Sequence, residues 1–184
     1  MSSVNAQHDV DLVRDCLSGN QRAFEALVRK YEKPLYNVAF RMLRDRDDAM
    51  DVVQTVFVKA YEKLGSFDPK REFFSWIYRI AINESINASN RTKRMDEYES
   101  GVTAALPPSQ EARRHEEILS EEIERAIAVL KLDYRMVIVL KHFHDFSYQE
   151  MAEVLGIEEK TVKSRLFSAR QQLKDILSSR GVER

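Results

Sequence analysis

The chain has 184 residues, of which 43% are hydrophobic and 32% charged, and its formal net charge is -1. Five glycines and four prolines are too few for a β-rich protein, which needs turn residues every few positions. The near-zero charge gives no general attraction to a polyanion, and a single cysteine, Cys16, excludes an internal disulfide and a cysteine-based zinc site.

Apolar residues recur every three to four positions through the first half of the chain, which is the spacing of amphipathic helices. One such stripe covers residues 24–42 and contains Pro34, which is expected to kink or split the helix. A second covers 52–64 and stops at Gly65. A third begins at 71 and ends near residue 90. No alternating strand pattern occurs, so the predicted fold class is all-α.

The composition changes between residues 91 and 117, where prolines, small polar residues and mixed charges show little periodicity. This composition is typical of a linker that is poorly ordered on its own. Helices are again predicted over 118–129 and 134–142. We therefore predict two small helical domains joined by a flexible linker. Their predicted bounds are 1–93 for the first domain, 94–116 for the linker and 117–184 for the second domain.

The C-terminal domain contains the pattern of a helix-turn-helix. Residues 147–150 read S-Y-Q-E, a capping box that begins a helix, and Gly156 supplies the left-handed residue that ends it. A second, basic helix follows, and its buried side is predicted from the 4, 3, 4 spacing of Val162, Leu166, Ala169 and Leu173. Two short helices joined by a tight turn are the DNA-binding arrangement of this motif.

The face opposite that buried side carries residues that could meet base edges in a major groove. They are Lys160, Lys163, Ser164, Phe167, Ser168 and Gln171. Cations that suit phosphates flank this face or precede the motif, namely Arg165, Arg170, Lys174 and Lys141. The alternative is an ordinary helical hairpin with a solvated basic face, but the cap, the glycine turn and the basic face all favour DNA binding.

The segment 45–64, "DRDDAMDVVQTVFVKAYEKL", begins with acidic residues that favour a helix N-terminus through the helix dipole. Its other face is apolar. The residues alone leave two interpretations open, a capped core helix and a helix that docks a partner.

The segment 73–87, "FFSWIYRIAINESIN", combines aromatic rings with polar amides. Phe73, Ile77 and Ile80 share one side of a helix and are predicted to lie in the core. Trp76 and two polar residues form an adjacent stripe, and whether Trp76 packs in the core or contacts DNA stays open at this point.

Three segments together resemble the extracytoplasmic function (ECF) sigma factors, the small two-domain specificity subunits of bacterial RNA polymerase. They are "AFEALVRKYEKPLYNVAFRMLRDRDDAMDVVQTVFVKAYEKLGSF", "FFSWIYRIAINESIN" and "SYQEMAEVLGIEEKTVKSRLFSARQQL". They occur in the order and with roughly the spacing of that family, and the resemblance covers residues 10 to 177.

The resemblance implies that the second of the predicted helices, within 45–64, grips the largest subunit of core polymerase. The residues at the matching positions are Asp48, Asp51, Val52, Gln54 and Phe57. Met50 and Thr55 depart from the family, which often has acidic residues at these positions. These two departures bear on the details of the polymerase contact that the resemblance implies, not on its existence.

The resemblance also implies that "FFSWIYRIAINESIN" is the helix, with a following loop at 86–94, that opens the promoter's −10 element and captures a flipped base. An extruded base needs amide partners and an apolar or aromatic wall. The expected −10 residues are Trp76, Arg79, Asn83, Asn87, Asn90, Arg91 and Arg94. In the same way the basic helix becomes the reader of the −35 element, with Ser168 standing where many members carry a basic residue.

The expected partners are therefore bacterial core RNA polymerase, promoter DNA and an anti-sigma factor that blocks the polymerase surfaces. The N-terminus has no apolar run typical of a signal peptide and no segment long enough to span a bilayer, so we expect a cytoplasmic protein without membrane insertion, held near the membrane only through an anti-sigma factor.

Two other functions are possible alternatives to a sigma factor. A free-standing helix-turn-helix regulator would bind a palindromic duplex without polymerase and would need a sensor domain or a dimer helix. An enzyme would need a phosphate loop, a nucleophile motif or a metal cluster. The sequence contains no phosphate loop, nucleophile motif or metal cluster, and His142 and His144 have no third ligand beside them. We expect no catalytic residues, no metal and no cofactor.

Overall fold

The computed structural model describes the backbone of residues 3–96 and 114–181 and the side chains of 8–92 and 121–181. These ranges contain eight α-helices and no strand, which confirms the all-α class. The helices are α1 (Ser3–Leu17), α2 (Gln21–Leu43), α3 (Arg46–Lys63), α4 (Phe73–Asp96), α5 (Arg114–Ala128), α6 (Leu132–Phe143), α7 (Tyr148–Leu155) and α8 (Glu159–Ser179), with a 3₁₀ turn at Leu64–Ser66.

The first unit consists of α1–α4, whose apolar faces meet in one core. α2 runs unbroken from Gln21 to Leu43 with Pro34 inside it, so of the two expected effects of the proline, a kink or a split, the split does not occur. Proline removes one backbone hydrogen bond from the ladder. Buried residues on both sides of it, such as Tyr31 and Leu35, continue the apolar face, and their packing keeps the two halves in one helix.

A buried carboxylate fastens α1 to α2. Asp9 is 2% exposed and accepts hydrogen bonds from the Tyr31 hydroxyl and the Lys30 ammonium, each at 2.5 Å. Burial, followed by the hydrogen bond to Asp9, raises the pKa of Tyr31. The raised pKa keeps the Tyr31 hydroxyl protonated, as the donor to Asp9.

The second unit consists of α5–α8 and contains the predicted helix-turn-helix. The capping box is present: the Ser147 hydroxyl accepts from the Glu150 N–H at 3.1 Å, and the Glu150 carboxylate accepts from the Ser147 N–H at 2.6 Å. Gly156 ends α7 with φ 65°. Both signals are local in sequence, and both are confirmed residue by residue.

The two units pack against each other. α4 lies against α7, and α2 lies against α5 and α6. α4 and α5 each extend three residues into the predicted linker, to Asp96 and from Arg114. The rest of that linker, residues 97–113, lies outside the described part of the chain, and the domain bounds stay a prediction.

Within 3–96 and 114–181, no helix combines the length and the apolar character needed to cross a bilayer.

Candidate nucleic-acid interface

The outward side of α8 carries the residues predicted to meet base edges. Five of the six are exposed, and Ser168 is half-buried. The exposed residues are Lys160, Lys163, Ser164, Phe167 and Gln171. On the opposite side Val162, Leu166 and Ala169 are buried. α8 is thus held to the core along one face and presents the other, which we call the recognition face, to solvent.

Phe167 stands in the middle of the recognition face with 67% of its surface exposed. A ring in this position adds little to the core, because most of its apolar surface remains in water. In a major groove the same ring could contact the methyl group of thymine. Its exposure agrees with the expectation that it faces DNA.

The cations around the recognition face differ in how they are engaged. Lys163 lies 2.5 Å from Glu159, and that hydrogen bond is the main cause that raises the pKa of the lysine. The guanidinium of Arg170 donates to a ring nitrogen of His142 at 3.3 Å. Lys174 is exposed. All three remain at the surface, where a phosphate could approach them.

Two of the predicted phosphate contacts already serve the fold. Arg165 forms an ion pair with Asp133 at 3.1 Å, and Lys141 donates to the backbone oxygen of Phe146 at 2.9 Å. Both cations are half-buried. Each would have to share or exchange its partner to bind a phosphate, so their place in the interface is the least supported by the geometry.

The seven predicted −10 residues lie on one face of α4. Their positions, 76, 79, 83, 87, 90, 91 and 94, follow helical spacing, and at 1.5 Å per residue the set spans about 27 Å. Those from Arg79 to Arg91 are exposed, whereas the side chain of Arg94 lies outside the described residues. We call this set the α4 stripe.

The loop expected at 86–94 is wrong, because α4 continues through this segment to Asp96. Ala88 remains buried there, so α4 still contacts the core within this segment. The hydroxyls of Ser85 and Thr92 donate to backbone oxygens four residues earlier, which leaves the helix hydrogen bonds in place. The helix, rather than a loop, brings the distal amides into line with Asn83.

Trp76 both packs and remains accessible. It is partly buried, with its ring 5.6 Å from that of Phe67 and 5.5 Å from that of Phe73. Phe73 and Ile77 are buried as predicted, and Ile80 is half-buried. The neighbouring rings therefore hold the indole in place at the start of the α4 stripe, and one side of the indole remains exposed to solvent.

The predicted polymerase-binding residues of α3 divide between surface and core. Asp51 and Gln54 are exposed, while Asp48 and Phe57 are half-buried. Val52 is 3% exposed and belongs to the core of the first unit, so a partner could not reach it without local unfolding.

Sequence reasoning missed the apolar residues that α3 exposes. Met50, Val58 and Tyr61 are each more than half exposed and lie on the same side of the helix as Asp51 and Gln54. Met50 and Val58 fall outside the apolar 3–4 spacing of this helix, which was an available signal. Tyr61 was counted within that spacing, and its exposure corrects this prediction. With Asp51 and Gln54, the three apolar residues form a surface that we call the α3 face.

His142 and His144 are not brought together with further metal ligands in the described part of the chain. Among residues 8–92 and 121–181, no three His, Cys, Asp or Glu side chains are placed to hold a metal ion. His142 is exposed, but His144 lies among the aromatic rings between the two units, 3.4 Å from the Tyr78 hydroxyl. Its role is therefore structural in this arrangement.

Two family models match the chain. The model for sigma-70 region 2 matches residues 27–95, which span α2 to α4, and the model for sigma-70 region 4 matches residues 120–173, which span α5 to α8. The α4 stripe and the α3 face fall in the first match, and the recognition face falls in the second.

Similar proteins cover nearly the whole chain. The RNA polymerase sigma-H factor of Pseudomonas aeruginosa is 34% identical over 181 residues, covering 91% of this chain and 92% of that protein. The ECF sigma factor SigW of Bacillus subtilis is 32% identical, covering 88% and 92%, and the ECF sigma-E factor of Escherichia coli K12 is 33% identical, covering 90% and 92%.

Solved structures agree with these relatives. The structure of CnrH in complex with the cytosolic domain of CnrY is 30% identical, with a TM-score of 0.73 over 94% of this chain and 98% of that one. RpoE of Bartonella quintana, in complex with the anti-sigma factor NepR, is 26% identical, with a TM-score of 0.69 over 84% and 96%. Two matched sigma regions and full-length relatives above 30% identity show that this chain belongs to the ECF sigma factors of bacterial RNA polymerase.

Proposed function

We propose that this sigma factor uses its three surfaces on one promoter, with the α3 face binding core polymerase, the α4 stripe reading and holding the −10 element, and the recognition face of α8 reading the −35 element. The observation that supports this best is the α4 stripe, because an unbroken helix aligns the −10 residues on one exposed face.

The α4 stripe has the chemistry that a separated strand requires. Its exposed amides, from Asn83 to Asn90, can pair with the edge of an unstacked base, and the fixed indole of Trp76 offers a stacking surface. Arg79 and Arg91 add cations for the strand backbone. Unstacking costs a few kcal/mol per base, and these contacts would offset that cost only after the strands separate.

The recognition face suits duplex DNA instead. Lys163 and Ser164 present donors to base edges, and Phe167 presents an apolar ring to thymine methyl groups. Arg170 and Lys174 lie at the edge of this face, where phosphates would meet them. The half-buried Ser168 contributes a hydroxyl where many members of the family carry a cation.

The α3 face suits a protein surface. It combines exposed apolar side chains, Met50, Val58 and Tyr61, with the polar Asp51 and Gln54, which is the composition of a protein interface with an apolar centre and a polar edge. The proposed contact omits Val52, because that side chain is buried.

We also propose that an anti-sigma factor controls this chain. CnrH and RpoE, to which it is similar, were solved with CnrY and with the anti-sigma factor NepR. The chain would then act in the cytoplasm, near the membrane only through such a partner. Its contribution to initiation is binding and DNA opening, and we assign it no reaction, metal or cofactor.

Run-off transcription tests the proposed function. Purified protein and bacterial core polymerase are combined with DNA that carries the promoter upstream of the protein's own gene. We expect a defined transcript only when both proteins are present. Binding of a palindromic duplex by the protein alone, without binding to core polymerase, would favour a free-standing regulator and contradict the proposal.

Two substitutions separate the DNA surfaces. Lys163→Ala should weaken binding to a −35 duplex by about tenfold, because a direct contact is worth about 1–3 kcal/mol. Asn83→Ala should leave −35 binding unchanged and reduce open-complex formation. Lys131→Ala, which removes an exposed lysine outside all three surfaces, is the control, and an equal loss in that variant would show that general charge explains the effect.

A further inference from the structure

An ion pair occupies the first turn of α8, at the edge of the recognition face. Glu159 is the first residue of this helix, and its carboxylate lies 2.5 Å from the ammonium of Lys163, one turn later. The side chains of Glu159 and Lys163 are 46% and 54% exposed. An exposed pair at this spacing adds little to stability, because water screens the attraction and both side chains lose freedom. The fold therefore gives little reason for a glutamate at position 159.

An aromatic ring limits the freedom of this pair. The ammonium of Lys163 lies 5.4 Å from the centre of the Tyr148 ring, at the start of α7. A cation is attracted to the face of an aromatic ring at this distance. Tyr148 and Glu159 thus act on the same ammonium from the two helices of the motif. The donor of Lys163 and the acceptor of Glu159 are held side by side before DNA binds.

The charge of Glu159 lowers the affinity for DNA in general. In a helix-turn-helix, the N-terminal residues of the recognition helix reach base edges in the major groove, and Glu159 begins this helix. A carboxylate at this place repels the phosphates on both sides of the groove and weakens binding to every sequence. A contact with one particular base would offset that repulsion. The amino group of cytosine is the usual partner of a carboxylate in the major groove.

The ion pair matches the major-groove edge of one G·C base pair. That edge presents the O6 acceptor of guanine next to the N4 donor of cytosine, and these two atoms are hydrogen-bonded to each other at about 2.9 Å. The Nζ donor of Lys163 and the Oε1 acceptor of Glu159 have a similar spacing, 2.5 Å. An ammonium has three donors and a carboxylate has two acceptor oxygens. Each side chain can therefore keep its partner and still contact a base.

We propose that Glu159 is a specificity-determining residue, which together with Lys163 reads a single G·C base pair of the −35 element. Lys163 donates to O6 and N7 of guanine, while Glu159 accepts from N4 of cytosine. We call these two residues the α8 dyad. The inference rests on the proposed function of the recognition face, and it adds the base pair that this part of the face selects.

The α8 dyad distinguishes base pairs by their orientation. A C·G pair in the same place turns its amino donor toward Lys163 and its carbonyl acceptor toward Glu159, so both contacts become repulsive. An A·T pair does the same with N6 and O4. A T·A pair offers O4 to the lysine and N6 to the glutamate, but it has a methyl group where guanine has N7. The expected order of preference is therefore G·C first, T·A second, and C·G and A·T last.

Transcription from a barcoded set of promoters measures these preferences. The templates carry the promoter upstream of the protein's own gene, with each −35 position changed in turn to all four base pairs and a barcode in the transcribed region. Core polymerase is combined with each full-length variant. At one position the wild type should favour G·C over C·G, and Glu159→Ala should reduce that preference about fivefold, the lower end of what one base contact contributes. Glu158→Ala is the control and should keep the preference, because it removes the same charge from the neighbouring residue, whose side chain makes no capping hydrogen bond.

Exchange of the two residues provides the most specific test. Glu159→Lys combined with Lys163→Glu keeps the ion pair but reverses its orientation, so the preference at the same position should change from G·C to C·G. A role of Glu159 in helix stability, or only in holding Lys163, predicts no such reversal. Unchanged preference in Glu159→Ala, or an exchanged variant that loses the G·C preference without gaining one for C·G, overturns the dyad. If no −35 substitution affects transcription by the wild type, the proposed function of the recognition face fails, and the dyad with it.

Discussion

Two separate features of the structure require a glycine at position 156. Its φ of 65° lies in the left-handed region that other residues enter only at a cost, and its missing side chain leaves room for Arg79 of the first unit. The first demand belongs to the helix-turn-helix, because the glycine N–H closes α7 on the Ala152 oxygen. The second belongs to the contact between the units.

Gly156→Ala should therefore lower the free energy of unfolding by about 1–3 kcal/mol, the usual cost of a left-handed non-glycine residue. Urea unfolding measures it. Gly65→Ala is the matched control, because Gly65 lacks a positive φ and has open space around it, so its stability should stay within about 0.5 kcal/mol. Equal effects at the two glycines would contradict this account.

At the scale of the element, α4 differs most from what the sequence indicated. The apolar spacing weakens after Ile86, and the asparagine and serine residues that follow favour turns as often as helices. What keeps the segment helical is tertiary: Ala88 is buried and Ile86 packs on the core. Such a contribution cannot be read from a window of polar residues.

The helical state of this segment is testable at an exposed site. Asn90→Gly should be less stable than Asn90→Ala by about 0.5–1 kcal/mol, because glycine loses more backbone freedom in a helix. The measurement is urea unfolding of the two variants side by side. If residues 86–94 formed a loop whose backbone is not fixed in the folded state, glycine and alanine would be equivalent there, and the pair would show no difference.

Elements with local signals were predicted well. The capping box at 147–150 and the glycine at the end of α7 act on neighbours within four residues, and both were correct in the sequence analysis. Pro34 does not split α2, since packing on both sides of it outweighs one missing hydrogen bond. The α4 stripe was assigned through resemblance to the family, and only the continuous helix shows that its members share one face.

At the scale of the whole molecule, the docking of the two units had no signal in the sequence. Its contacts join residues far apart in the chain: Arg44 and Glu124 are separated by 80 positions, and Tyr78 and His144 by 66. No period or motif marks such pairs. A linker composition predicts that two domains exist, but it carries no information on whether their surfaces meet.

His144 connects this docking to pH. Burial, followed by the charge of Arg41, lowers the pKa of His144 to about 4. The groups that face it are the Tyr78 hydroxyl on α4 and the Arg41 guanidinium on α2, while Lys141 and Asp145 are its charged neighbours on its own segment. None of the facing groups is a carboxylate, so a protonated imidazole would lack an ionic partner inside the contact.

Acid should therefore weaken the folded, docked chain. Above pH 6.5 the imidazole is neutral in both the folded and the unfolded state, and it has no effect. As the pH falls from about 6.5 to 4, the unfolded chain binds the proton first, and stability is lost through that window. At pH 5.5 the loss from this group is about tenfold in the unfolding equilibrium. Urea unfolding at pH 7.5 and 5.5 measures it. His144→Gln should lack this component. His142→Gln should keep it, because the burial that lowers the pKa of His142 is a separate contribution from a different side chain. Identical pH profiles for the wild type and His144→Gln would refute the role of His144.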